Sequence, residues 1–290
     1  SIKADVKNIN IFVVAWGSYV DLFFKYSLPS LLQDGNLKWI KNNFQIEIDF
    51  YTNIDRSWVI KKYPEMEVIL NDYNFKFKNV NSYLDKDKKL SPDVQINIYK
   101  DQIRKSLNNY ATCIVVNPDM VYSDASLKNI MLINKGKNFC YSFIHPRVNM
   151  SSTKIALEKF RDENNLINIS SKKLVRLAWE NLHDLEKCAN DELDINITTR
   201  GKSWRKIDDK TIIVINSAVN PQIWNWKQKD LDYMSNLDKL SETDRAQPNY
   251  LLSDSRIRFI TSSEILFAIE LTDENENMDA QLVDNLYNDQ

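Results

Sequence analysis

Glycine is scarce in this chain, with four residues in 290, at Gly17, Gly35, Gly136 and Gly201. Neither a Gly-x-Gly-x-x-Gly dinucleotide turn nor a Walker phosphate loop can be written. Both need clustered glycines so that backbone N–H groups can approach phosphate. Histidine is rarer still: His145 and His183 are the only two, and they are not spaced as a metal pair. Surface or packing roles suit both, although His145 opens a His-Pro-Arg sequence just after a strand-like run, a place where a phosphate could lie. The three cysteines, Cys113, Cys140 and Cys188, are far apart and lack metal-ligand spacing, which fits a reduced, cytoplasmic setting better than a disulfide framework. No Gly-x-Ser-x-Gly elbow is present, so no hydrolytic triad is supported. No apolar run approaches bilayer length, and the first residues lack a signal-peptide pattern, so no transmembrane segment is expected. Charge of one sign is also missing. A net charge of -2 and a pI of about 5.8, with mixed signs along the chain, give no global pull toward nucleic acid.

What is present is ordinary globular material, 43% hydrophobic, enough for one large α/β domain. Residues 9–15 form an apolar strand, followed by Trp16-Gly17-Ser18 as turn and helix cap. A helix-spaced run from Tyr19 to Gln33 contains Pro29 as a kink point. Gln45 to Tyr51 alternates as a strand ending at Thr52-Asn53-Ile54-Asp55, with a short helix from Ser57 to Lys62. Met66 to Leu70 reads as a third strand. Ser91-Pro92-Asp93 signals a helix start, after which Ile96, Tyr99, Ile103, Leu107 and Tyr110 share a face. A strand at Cys113, a helix over 126–134 and a strand over 139–144 follow. This alternation predicts a doubly wound, mostly parallel sheet. Two helices, 151–165 and 170–187, form an insertion, and strands are expected at 210–215, 256–260 and 265–269. The acidic stretch from 272 to 290 reads as a tail.

The most informative segment is Cys113 to Leu127, CIVVNPDMVYSDASL. A short apolar run stops at Asn117-Pro118 and delivers Asp119, with Asp124 five residues on. In an α/β sheet, ligand chemistry collects beyond the carboxyl ends of strands. Asn-Pro-Asp is equally a common turn sequence.

This segment resembles the metal and sugar-nucleotide segment of GT-A type glycosyltransferases, in which an apolar strand ends in Asp-x-Asp and leads to an acid and Ser-Leu. Here the motif reads Asn117-Pro118-Asp119. Further motifs extend the resemblance over residues 9 to 271: FVVAWGSYVDLFFKYSLPSLL, the strand ending Tyr51-Thr52-Asn53, His145-Pro146-Arg147-Val148-Asn149, VINSAVNPQIWNW and DSRIRFITSSEILFAIEL. Together these are similar to a group of bacterial glycosyltransferase-like proteins of largely unassigned activity.

The resemblance implies a single GT-A-like domain over 1–271, with a nucleotide-sugar half at 9–144 and a helical insertion and acceptor half at 145–271. It implies transfer of a sugar from a nucleoside diphosphate sugar, a UDP-sugar by analogy, to a glycan or lipid-linked polysaccharide precursor. Ala15, Trp16, Thr52, Asn53 and Asp55 match the positions that contact base and ribose. Arg104, Asn117 and Arg147 complete the nucleotide-sugar set, with Arg104, Arg147 or Arg205 available to neutralise the diphosphate. Asp119 is the central catalytic acid, and Asp124 or Glu264 the acceptor base. A divalent cation, Mn²⁺ or Mg²⁺, would fall to Asp119, Asn117 and Asn220. Two amides standing where a carboxylate and an imidazole are expected imply weak binding. The same substitutions motivate the alternative of a degenerate, non-catalytic sugar-nucleotide or glycan-binding module. Trp204, Trp224, Trp226 and Tyr250 could form a sugar-stacking wall or ordinary packing.

Overall fold

A computed structural model describes residues 8–83, 92–134, 139–143, 145–187, 202–208, 211–216, 222–235 and 254–275. Its frame is a seven-stranded, mostly parallel sheet flanked by helices, as the alternating pattern predicts. The strands are β1 (Asn8–Val14), β2 (Gln45–Thr52), β3 (Phe75–Asn79), β4 (Ala111–Val116), β5 (Met120–Tyr122), β6 (Cys140–Phe143), β7 (Arg147–Asn149), β8 (Lys202–Asp208), β9 (Thr211–Asn216), β10 (Ile223–Trp224), β11 (Ile257–Ile260) and β12 (Ala268–Thr272). The main sheet has the order β11-β6-β10-β4-β1-β2-β3. β10 alone runs antiparallel to its neighbours β4 and β6; the other pairs are parallel. All six remaining strands therefore point their carboxyl ends toward one edge of the sheet.

β1 pairs with β2 on one side and β4 on the other. The winding from β1 through β2 to β3 goes one way and the chain then returns to place β4 on the opposite flank. The crevice outside the carboxyl ends of β1 and β4 is a topological switch point, where open α/β sheets bind ligands.

Two apolar layers cover this sheet. One face packs Ile9, Ile11, Val13, Ile114 and Val116 against Phe23, Phe24 and Leu28 of the helical stretch from Ser18 to Leu31. The other packs Phe12, Cys113, Val115 and Trp224 against Val94 and Ile98 of the helix Pro92–Asn109. Burial of the two described cysteines pushes their thiols up to about 12, so Cys113 and Cys140 behave as small apolar core residues.

A second, three-stranded sheet, β5-β12-β7, extends from the segment after Asp119. Its outer core joins Val121, Val148 and Ile269 to Leu157, Leu174 and Leu177 of helices Met150–Glu158 and Ser171–Glu180. β8 and β9 form a separate antiparallel hairpin.

Several local readings change. Met66–Asp72 is a helix, because Met66 and Leu70, four apart, turn inward while Val68 is 68% exposed; the third strand is Phe75–Asn79 instead. On helix Pro92–Asn109 the inward stripe includes Gln102 and Ser106 as well as Val94, Ile98 and Ile103, whereas Tyr110 lies outside it at 85% exposure. Apolar counting misplaced that stripe since two of its members are polar. Gln102 donates to Asp49 and to the Tyr51 hydroxyl at 2.6 and 2.7 Å, and Asn10 donates to Ser106. Pro29 does not simply kink its helix: Phe23–Ser27 forms a π turn ahead of it. Pro29 cannot donate to the Lys25 carbonyl, which instead accepts from Arg161 Nη2 at 2.9 Å. The first insertion helix ends at Glu158 and the second at Glu180. β12 starts at Ala268 and runs through Thr272, and Glu274 accepts from the Ser151 N–H, so the chain is structured past the expected start of the tail. Trp224 and Trp226 stack at 4.1 Å and 6° with Trp224 buried. They form a core pair rather than a surface wall. Tyr250, Asn220 and Cys188 fall outside the described residues.

Candidate functional site at the carboxyl edge of the sheet

The loop leaving β1 is fixed by backbone geometry. The Ala15 N–H donates to the Tyr51 carbonyl at 2.9 Å, which carries β1–β2 pairing one residue past the strand. Gly17 then adopts φ 56°, ψ -132° as the helix N-cap, a region L side chains avoid. This turn leaves Trp16 half-buried and Ser18 exposed at the edge, with Ala15 wholly buried. Ala15 can therefore offer a ligand backbone atoms only. At the end of β2, Thr52 is buried and Asn53 exposed. Asp55 caps the helix Arg56–Lys62, its Oδ1 accepting from the Trp58 N–H and the Ser57 hydroxyl at 2.8 and 2.7 Å. Those bonds, from Ser57 and then Trp58, hold its carboxyl below the usual range.

Val116 ends β4 beside Val13. Asn117 is exposed, and Asp119 is half-buried, its carbonyl accepting from the Leu271 N–H at 2.9 Å. Burial, and secondarily the Asp119 carboxylate, raise the pKa of the enclosed Tyr122 phenol. Trp16, Asn53, Asn117 and Asp119 thus share one edge.

A second group joins them there. β6 runs parallel to β4, so its carboxyl end brings His145 to the same edge. Arg147 opens β7 directly across from Glu270 of β12, whose other neighbour is Met120, the residue after Asp119. Glu270 spans the two basic groups: Oε2 lies 3.0 Å from His145 Nε2 and Oε1 lies 3.1 Å from Arg147 Nε. Their side chains are 17%, 15% and 15% exposed. Behind them, the buried Glu186 accepts from the Arg147 N–H at 3.2 Å. Composition gave no hint of Glu270; the available signal was a single carboxylate inside the apolar run Ala268-Ile269-Glu270-Leu271.

The remaining candidate residues lie elsewhere. Asp124 lies beyond β5, whose three residues span about 10 Å at roughly 3.3 Å per residue. Its Oδ1 accepts from the Gly35 N–H at 2.9 Å. That contact closes a tight junction, since a Cβ on Gly35 would come within 2.5 Å of Ala125 and 2.7 Å of Asp124 Oδ1. Glu264 precedes β12 at the end that pairs with Tyr122, and its carbonyl accepts from Asn129 at 3.1 Å. Both acids are therefore on the Tyr122 side of the small sheet, apart from Asp119. Arg104 is about 18 Å from the start of its helix at 1.5 Å per residue, toward the amino ends of the strands, where it pairs with Asp101 at 2.9 Å.

Among the described residues, no three His, Cys, Asp or Glu side chains converge in a group suited to a metal ion. Asn117 and Asp119 are the two expected ligands within them. They do not make a metal centre by themselves, and no step below is drawn through a cation. Nor is any described helix long and apolar enough to cross a membrane.

No protein-family model and no curated protein matches the sequence. Among solved structures, the chain is similar to a protein from Bacillus anthracis assigned as a glucose-1-phosphate thymidylyltransferase, in complex with a sucrose. The TM-score is 0.43 and the identity 13%, over 98% of this chain and 96% of that one. It is also similar to UDP-glucose phosphorylase from Trypanosoma brucei, with a TM-score of 0.29 and 10% identity over 84% of this chain. The chain spans about half of that protein, 51%. Likeness at this level assigns no activity.

Proposed function

We propose that the chain is a nucleotide-sugar-dependent glycosyltransferase of the GT-A type that acts on a glycan or cell-surface polysaccharide precursor. Its domain would span 1–271, donor half first. The observation that supports this reading is the placement of Asp119, Trp16, Asn53 and Asn117 at the carboxyl edge of the sheet, around the β1/β4 switch point. In this reading Trp16 stacks on the base, Asn53 accepts from a base N–H or ribose hydroxyl, and the Ala15 backbone lines the pocket. An acceptor hydroxyl attacks the anomeric carbon, the bond from that carbon to the diphosphate oxygen breaks, and the nucleoside diphosphate leaves with its electron pair. Asp119 orients the donor, and Arg147 with His145 stabilises the leaving oxygens. Glu270 holds both basic groups in place. The acceptor proton passes to solvent or to the leaving diphosphate, since Asp124 and Glu264 lie on the Tyr122 side of the small sheet, away from Asp119. A divalent cation, when bound through Asp119 and Asn117, would add charge stabilisation to the diphosphate.

A second reading, a binding module without turnover, is favoured by the amide at Asn117 in place of a carboxylate. A thermal-shift panel of UDP-, GDP-, CMP- and dTDP-sugars, followed by donor hydrolysis with added Mn²⁺ or Mg²⁺, separates the two. A melting-temperature rise with hydrolysis supports the enzyme, and a rise without hydrolysis supports the module. No rise with any donor overturns both.

A further inference from the structure

The outer helical layer carries a charge pattern that the reactive edge does not use. From 150 to 180, the end of the second helix, the chain has six basic residues, Lys154, Lys159, Arg161, Lys172, Lys173 and Arg176, against four acidic ones, Glu158, Asp162, Glu163 and Glu180. The segment is net +2 in a chain of net charge -2. Its acids are partly engaged: Glu158 pairs with Arg161 at 2.7 Å, while Asp162 accepts from the N–H groups of Asn164 and Leu166 at 2.9 Å.

The packing leaves four of these cations exposed. Helices Met150–Glu158 and Ser171–Glu180 turn Thr153, Leu157, Leu174, Leu177 and Ala178 inward. Lys172, Lys173 and Arg176 are left exposed, as are Ile155 and Lys159 one turn apart. Lys173 Nζ lies 5.8 Å from the Phe160 ring, which joins the cations of one helix to those after the other. Ile155 is 71% exposed, an aliphatic side chain standing out beside lysines. Exposed basic side chains with an aliphatic group among them match an anionic bilayer surface, where the cations meet headgroups and the aliphatic group enters the acyl boundary.

We propose that this helical face docks the protein on an anionic lipid surface. Helix Met150–Glu158 begins immediately after β7, three residues from Arg147, so docking would set the carboxyl edge beside the membrane. A lipid-linked acceptor would then reach the site without leaving the bilayer. The docking claim itself does not depend on transfer activity.

The test is flotation of the full chain with vesicles of phosphatidylcholine alone and of phosphatidylcholine mixed equally with phosphatidylglycerol. Wild type should float with the mixed vesicles only, and release should follow added salt. The Lys172→Glu, Lys173→Glu, Arg176→Glu triple variant should lose more than about 100-fold in partitioning, at about fivefold for each basic residue near the leaflet. Ile155→Ser, which changes no charge and exposes no core, should lose several-fold and guards against misfolding of the triple variant; circular dichroism checks both. Absence of wild-type flotation, equal binding to neutral vesicles, or full binding by the folded triple variant would overturn the proposal. So would retention on double-stranded DNA with the same residue dependence and no vesicle binding.

Discussion

Two arginine–carboxylate clusters sit at opposite edges of the main sheet. At the amino edge, Arg256 donates to Asp230 through both terminal nitrogens, one at 3.0 Å, and its Nε pairs with Asp254. Arg256 and Asp230 are 4% and 2% exposed. Burial works against the charged guanidinium, but the Asp230 hydrogen bonds and charge outweigh it and raise its pKa. This pair pins helix Gln228–Ser235 to the start of β11. At the carboxyl edge, Glu270 instead divides itself between His145 and Arg147, and all three stay partly open to solvent. A closed bidentate pair fixes structure. An open one, in which Glu270 is shared between an imidazole and a guanidinium, leaves polar side chains partly exposed at the carboxyl edge.

The comparison is broken most forcefully at the clamp. Asp230→Ala leaves a buried guanidinium with only Asp254 beside it, so chemical denaturation should show a loss of about 3–5 kcal/mol. Activity per folded molecule should be unchanged. Asp119→Asn should do the opposite, costing about 10²–10³ in turnover if it orients the reacting groups while the melting temperature stays near that of wild type. Unchanged turnover in that variant would remove Asp119 from the mechanism.

Smaller effects sharpen the boundary of the site. Trp16→Ala should weaken nucleotide affinity by about 1–3 kcal/mol in calorimetry if the ring stacks on a base. The smallest effect concerns Asp21, on the helix after β1. Burial raises its pKa, but bonds from Lys62 and Tyr63 and the Lys62 charge win, leaving it lowered. A depressed carboxylate contributes stability above its unfolded pKa and loses it as pH falls through the folded value. Asp21→Asn should therefore melt slightly lower than wild type at neutral pH, and the gap should close below pH 3.8. A gap independent of pH would deny Asp21 this role.

Much of the fold was legible because its central strands are continuous apolar runs bounded by turn residues, as in Cys113-Ile114-Val115-Val116 before Asn117-Pro118. Short elements were not. Met66 to Leu70 is too brief for periodicity to separate strand from helix. β5 and β7 have three residues each and join the small sheet through β12, about 150 and about 120 residues later. The edge position of Trp16, Asn53, Asn117 and Asp119 was legible because each follows the end of a strand. It was illegible at Glu270, which reaches the edge through long-range pairing. Arg104 lies away from that edge, because the rise of its helix carries it toward the amino ends of the strands.

The account stands or falls on the location of the nucleotide. Hydrogen–deuterium exchange of the full chain, with and without the sugar nucleotide that gives the largest thermal shift, tests it directly. Protection should appear in peptides covering 15–18, 52–55, 117–119 and 145–147, with little change around 254–258 or 124–129. Protection centred on the Arg256 clamp or on the Asp124–Glu264 side, with the β1/β4 loops unaffected, would contradict it.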